Sequence, residues 1–227
     1  MFEELLPASV AVVEAYEGDA IADGTVLYPQ EEAVVARAVD KRRREFVTVR
    51  ACARRAMARL GVPEQPVVPG ERGAPGWPKG VIGSMTHCDG YGAAALARAG
   101  ELASLGIDAE PHEPLPEGVA DVITLPAERE RLRGLARSHP SVHWDRLLFS
   151  AKESVYKAWY PLTERWLDFL EADVDIDPGD GSGGVGGFRA RLLVAGPVVA
   201  GRRIEAFDGR WTTGRGLVAT SVVVPGA

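Results

Sequence analysis

The alternation in Leu105-Gly106-Ile107-Asp108-Ala109-Glu110 limits what this chain can fold into more than any other stretch. Leu105 and Ile107 frame a strand, and since side chains alternate across a strand, Asp108 and Glu110 share one face. Two carboxylates that close repel and raise each other's pKa unless a cation lies between them. A hard divalent ion is the natural occupant. Mg2+ keeps near-octahedral oxygen coordination, sheds water reluctantly, and is usually held by one or two carboxylates together with substrate phosphates. Taken alone, Asp-x-Glu is also what a solvent-facing edge strand carries, so the remaining segments have to decide.

The 227 residues are enough for one large domain or two small ones with a sizeable core. Hydrophobic residues at 46% and charged residues at 26% exclude a wholly disordered or coiled-coil chain. A formal net charge of -6 argues against general nucleic-acid binding, so any anion site must be a local patch. Cys52 and Cys88 are the only cysteines, which excludes a disulfide framework or zinc cluster and points to a reducing compartment. The start, Met1-Phe2-Glu3-Glu4, is acidic where a signal peptide is basic, and no apolar run reaches membrane-spanning length. The expectation is a soluble, cytoplasmic protein that binds neither membrane nor nucleic acid.

Residues 1–30 mix short apolar runs with Gly and Pro and imply short strands or an irregular lead-in. From Glu31 to Leu60 apolar residues recur at helical spacing, with Phe46, Val49, Ala53 and Met57 on one face and Arg42, Arg43, Arg50 and Arg54 on the other. Such a face is either solvated or a phosphate-reading surface, because Arg forks match phosphate oxygens bidentately. A Gly- and Pro-rich loop with Arg72 at its centre follows, in which backbone N-H groups could face an anion. Residues 81–88 read as a strand ending at His87, turning at Asp89-Gly90 into a hairpin partner over 93–98. Helices are expected over 127–138 and 143–159; in the second, Glu153 and Lys157 share a face with Lys152 beside them. By themselves these are an everyday surface pair. Strands are expected over 174–177, 188–194, 204–207 and 217–224, with a turn at Asp208-Gly209 leading into Trp211-Thr212. Gly179, Gly181 and Gly184 have the spacing of a dinucleotide fingerprint, but a strand follows where a helix is required.

Three ordered blocks make the constellation specific: Gly83-Ser84-Met85-Thr86-His87-Cys88, Gly106-Ile107-Asp108-Ala109-Glu110, and Phe149-Ser150-Ala151-Lys152-Glu153-Ser154-Val155-Tyr156-Lys157-Ala158. Over roughly residues 30 to 224 the chain resembles the 4'-phosphopantetheinyl transferases. The Phe-Ser-Ala-Lys-Glu-Ser block and Lys41-Arg42-Arg43-Arg44-Glu45-Phe46 resemble the EntD-like and actinobacterial members of the Sfp-type group.

The resemblance implies an α/β (α+β) fold of two similar lobes, a monomeric pseudo-dimer divided into residues 1–104 and 105–227, with coenzyme A and Mg2+ in the cleft between them. It implies transfer of the phosphopantetheine arm of coenzyme A to a serine of an apo acyl or peptidyl carrier protein, releasing 3',5'-ADP. On that basis Asp108, Glu110 and Glu153 hold Mg2+, which acts as Lewis acid and template. Lys152 and Lys157 clamp phosphate oxygens, and Glu153 accepts the serine proton directly or through a water. Arg42 and Arg50 take the 3'-phosphate and adenine side, with Thr86, His87 and Arg72 adding phosphate contacts; His87, donating to an anion, is expected to be charged. The rival readings are another Mg2+-dependent phosphotransferase, for which no nucleotide motif is present, and a non-catalytic module that binds coenzyme A or a carrier.

Overall fold

The computed structural model describes residues 1–179 and 184–226. In chain order the elements are α1 (Phe2–Leu5), β1 (Ala11–Tyr16), α2 (Pro29–Val35), α3 (Asp40–Arg59), β2 (Val81–Cys88), β3 (Tyr91–Arg98), β4 (Leu102–Pro111), α4 (Val119–Ile123), α5 (Pro126–Ser138), α6 (Trp144–Thr163), β5 (Ala172–Asp177), β6 (Val185–Leu192), β7 (Val198–Val199), β8 (Arg202–Arg203), β9 (Ala206–Gly214) and β10 (Leu217–Pro225). They form two α+β lobes. A 3-stranded antiparallel sheet in the order β1-β3-β2 carries α3, and a 5-stranded antiparallel sheet in the order β4-β10-β9-β6-β5 carries α6. The same winding recurs in both lobes: a first strand, a long helix, and a last strand that returns to pair with the first (β1 with β3, β4 with β10).

Strand alternation builds the layers. On β3, Ala94 and Leu96 pack with Ala53, Ala56 and Met57 of α3, whereas Ala93, Ala95 and Ala97 face the other way into a core shared between the sheets. That shared core takes Leu105, Ile107 and Ala109 from β4, so the opposite face of β4 turns to α6. The edge of β4 not paired with β10 is covered by side chains of β2. Ile107 N donates to Ser84 Oγ and Ala109 N to Thr86 Oγ1, each at 3.1 Å, so the lobes join without continuing the ladder.

Gly106 is the point at which α6 lies on β4. A Cβ there would meet the Ser154 carbonyl oxygen at 2.0 Å and the Ala158 nitrogen at 2.8 Å, both of them helix backbone that no rotamer change relieves. Gly106→Ala should therefore push α6 off the strand and cost at least about 3 kcal/mol, beyond the usual cost of overpacking. A urea midpoint within error of wild type would contradict this packing.

Two sequence expectations change. The helical run from Glu31 to Leu60 is two helices, α2 and α3, separated at residues 36–39. Asp208-Gly209 is not a turn but lies inside β9, where Gly209 pairs with Phe188 and Val222; a Cβ on Gly209 would strike the Phe188 ring at 2.1 Å, so the glycine makes room for that aromatic. The hairpin turn falls instead at Arg215-Gly216, both with positive φ. Of the rejected glycine fingerprint, Gly181 lies outside the described residues. No helix among the described residues is long and apolar enough to cross a membrane.

Candidate active site

The seam between β4 and α6 carries the carboxylates. Asp108, only 4% exposed, accepts from Lys157 Nζ at 2.7 Å and from Thr86 Oγ1 at 3.3 Å, both on Oδ1. Its Oδ2 is buried and has no partner among the described residues. Glu110 shares the face and accepts from Arg146 Nη1 at 2.9 Å on Oε2. Burial, and then the charge of Asp108, push the Glu110 carboxyl above the usual range, with Arg146 opposing. Glu153, on α6, is pushed up by burial and by Asp108 and pulled down by Lys157.

Asp108 thus couples to both glutamates, but no cage of three His, Cys, Asp or Glu groups forms among the described residues. The protein's own cations sit on two of these carboxylates: Lys157 on one oxygen of Asp108 and Arg146 on one oxygen of Glu110. The donor chemistry still suits a hard divalent ion. An orphaned buried carboxylate oxygen loses the water it would otherwise bind and is costly unless something pairs with it.

The seam opens on a cleft of about 530 Å3 lined by Arg42, Arg50, Arg72, Thr86, His87, Glu153 and Lys157, with Phe46, Trp77, Tyr156 and Tyr160 as apolar wall. Predicted residues from three separate segments therefore meet in one cavity; Asp108 and Glu110 are not among its lining, and Asp108 is joined to it through Thr86 and Lys157. Arg50 lies 3.5 Å over the Phe46 ring and donates through Nε and Nη2 to the Val67 carbonyl at 3.2 Å. Burial lowers its pKa to about 10, which leaves it charged at neutral pH. Arg72 sits in the left-handed region at φ 53, with its guanidinium 5.7 Å from the centre of the Trp166 ring, so it reaches across from one lobe to the other.

Two expectations are corrected. His87 is not held charged: its Nε2 accepts from Arg42, and burial followed by the Arg42 charge lowers its pKa, with Glu45 at 3.7 Å only partly offsetting them. Lys152 does not reach the cleft. Its ammonium donates to Glu128 Oε2 at 2.8 Å, the Ile123 carbonyl at 2.9 Å and the Phe169 carbonyl at 2.6 Å, which uses every donor it has. The reason is helical phase: Lys152 is adjacent to Glu153 in sequence, so it points about 100° away around α6. Its partner Glu128 is fully buried on α5 and also accepts from Val174 N and Leu125 N, at 2.8 Å each.

Sequence reading missed Arg146, Glu45 and Glu128, which look like ordinary surface charges until the fold pairs them. Only Glu128 had a local signal, since Pro126 at the helix start followed by Glu at the third position is a helix-capping pattern.

Two α+β lobes around a cleft lined by arginines together with Glu153 and Lys157 make a site with the charge chemistry of a phosphate-binding protein. Family models match both parts of the chain: the 4'-phosphopantetheinyl transferase N-terminal domain matches residues 30–97, and the 4'-phosphopantetheinyl transferase superfamily matches residues 104–185. The chain belongs to the 4'-phosphopantetheinyl transferases. It is 60% identical to the 4'-phosphopantetheinyl transferase Svp of Streptomyces mobaraensis over 99% of this chain and 89% of that one. Npt of Nocardia iowensis is 48% identical over 98% and 99% of the two chains, and PptT of Mycobacterium tuberculosis 46% over 96% and 98%.

Proposed function

We propose that the chain transfers the 4'-phosphopantetheine of coenzyme A to a serine of an apo carrier protein in a Mg2+-dependent reaction that releases 3',5'-ADP. The observation that carries the reading is the orphaned Oδ2 of Asp108, buried beside Lys157 and Glu153 at the edge of a cleft walled by arginines. Arg42 and Arg50 bind the phosphate and adenine end of coenzyme A, Arg72 and His87 take further phosphate contacts, and Thr86 holds Asp108 in place. Asp108, Glu110 and Glu153 would hold the metal, which when bound supplies Lewis-acid stabilisation of the diphosphate. Lys157 is shared between Asp108 and the incoming phosphate oxygens, to which an ammonium offers charge-assisted hydrogen bonds. Glu153 takes the serine proton as the serine oxygen bonds to the phosphorus next to the pantetheine, and 3',5'-ADP departs with the electron pair of the broken P–O bond. A cytoplasmic, monomeric enzyme serving polyketide, nonribosomal-peptide or siderophore carriers belongs to the same reading.

The test is incubation with coenzyme A, Mg2+ and a panel of apo carriers, reading the carrier mass. A mass gain of one phosphopantetheine, abolished by EDTA, is expected; unchanged mass across the panel would leave only a binding module. Glu153→Gln should lose on the order of 100- to 10,000-fold in rate, the range of general-base contributions, while coenzyme A still binds. Because burial and Asp108 raise the Glu153 pKa, less of it is ionised at a given pH than of an exposed glutamate. A bound divalent ion opposes that shift, so the acid limb of kcat/KM should carry the Glu153 titration, with activity rising as pH increases through it. An acid limb unchanged in Glu153→Gln would remove Glu153 as the base.

A further inference from the structure

We propose that Arg146 is a positioning residue for the carboxylate pair, fixing Glu110 so that the seam can take up a divalent cation; this rests on the reading that Asp108 and Glu110 serve that ion. Arg146 lies in the first turn of α6, and Glu153 and Lys157 lie two and three turns further on along the same side of the helix. Every nitrogen of its guanidinium is engaged. Nη1 donates to Glu110 Oε2 at 2.9 Å, Nε to the Glu113 carbonyl at 3.1 Å, and Nη2 to the Pro114 carbonyl at 2.9 Å. Its side chain is 14% exposed and that of Glu110 20%.

One planar fork therefore joins three things: the carboxylate at the end of β4, the segment that follows it, and the start of the helix that carries Glu153 and Lys157. Next to it, Asp145 Oδ2 accepts from Leu115 N at 2.8 Å and ties the same segment to the same helix turn. A lysine could restore the charge but not the planar fork that reaches three acceptors from three separate nitrogens, because its ammonium is a single point charge on a flexible stem.

The charge pattern gives the arrangement its purpose. Lys157 answers Asp108 and Arg146 answers Glu110, each through a single carboxylate oxygen. The second oxygen of Asp108 is an orphan, and the second oxygen of Glu110 accepts from no donor among the described residues. Arg146 thus holds its carboxylate by one oxygen and leaves the other available. Without the guanidinium, Glu110 would be a partly buried carboxylate beside Asp108 with only the weaker pull of Lys157 to offset that charge.

Outer-shell partners of metal-binding side chains are typically worth 10- to 100-fold in metal affinity. Arg146→Gln is therefore expected to weaken Mg2+ binding, measured by calorimetry on the coenzyme A complex, by about 10- to 100-fold. The Mg2+ concentration for half-maximal turnover should rise in parallel, with the KM for coenzyme A changed less than about twofold if the effect is confined to the ion. Arg146→Lys, the variant that keeps the charge, should fall between the two, and in a Glu110→Gln background Arg146→Gln should cost no further Mg2+ affinity. A lowered melting temperature with Mg2+ affinity unchanged in both Arg146 variants would overturn the proposal and leave Arg146 a structural staple. Wild-type protein that binds no Mg2+ and turns over in EDTA would instead overturn the cation reading itself, before any variant is made.

Discussion

Asp108→Ala is expected to reduce carrier loading by about 1,000-fold or more, since each 1.36 kcal/mol is tenfold and a catalytic metal contributes several kcal/mol. The substitution removes the orphaned Oδ2 and also the acceptor that orders Lys157 and Thr86. Asp108→Asn separates these roles, because it keeps the shape and an oxygen that can accept from Lys157 and Thr86 but loses the charge that holds a divalent ion. Both variants should stay folded, since Lys157 is 27% exposed and can be rehydrated. Phosphopantetheine transfer by Asp108→Ala near the wild-type rate, followed by carrier mass, would remove the metal assignment.

Lys152→Met is expected to act on stability rather than on coenzyme A. The side chains of Lys152 and Glu128 are 2% and 0% exposed, and removing one partner of a buried ion pair strands the other charge at a cost of about 3–5 kcal/mol. Denaturant unfolding should show that loss, and Lys152→Met/Glu128→Gln should recover much of it, because replacing both partners of a buried pair is often close to neutral. If Lys152 instead clamped phosphate, as the motif implied, the single variant would keep its unfolding midpoint and bind coenzyme A more weakly.

These two lysines show how far the sequence could be read. Lys157 and Glu153 were placed correctly relative to each other by four-residue spacing, a property of the helix alone. That Lys152 turns away follows from the same geometry, but which acceptors wait for it depends on Glu128, Ile123 and Phe169, which come from elsewhere in the chain. The three motif blocks come together because β2 docks beside β4 and α6 lies across it, contacts between residues far apart in sequence. The Asp208-Gly209 expectation failed for the same kind of reason, since a local turn signal was outweighed by the Phe188 ring packing over Gly209.

What the sequence determined by itself was whatever repeats with the period of its own backbone: the two faces of β4, the apolar stripes of α3 and α6, the Asp89-Gly90 hairpin, and the order of the three blocks. What only the tertiary structure decided was the pairing of charges: Arg146 with Glu110, Lys157 with Asp108, Lys152 with Glu128, and the contact of His87 with Arg42. Periodicity is a local property of a chain, whereas the partner of a charge, and the water it loses on burial, depend on which distant segment is packed against it.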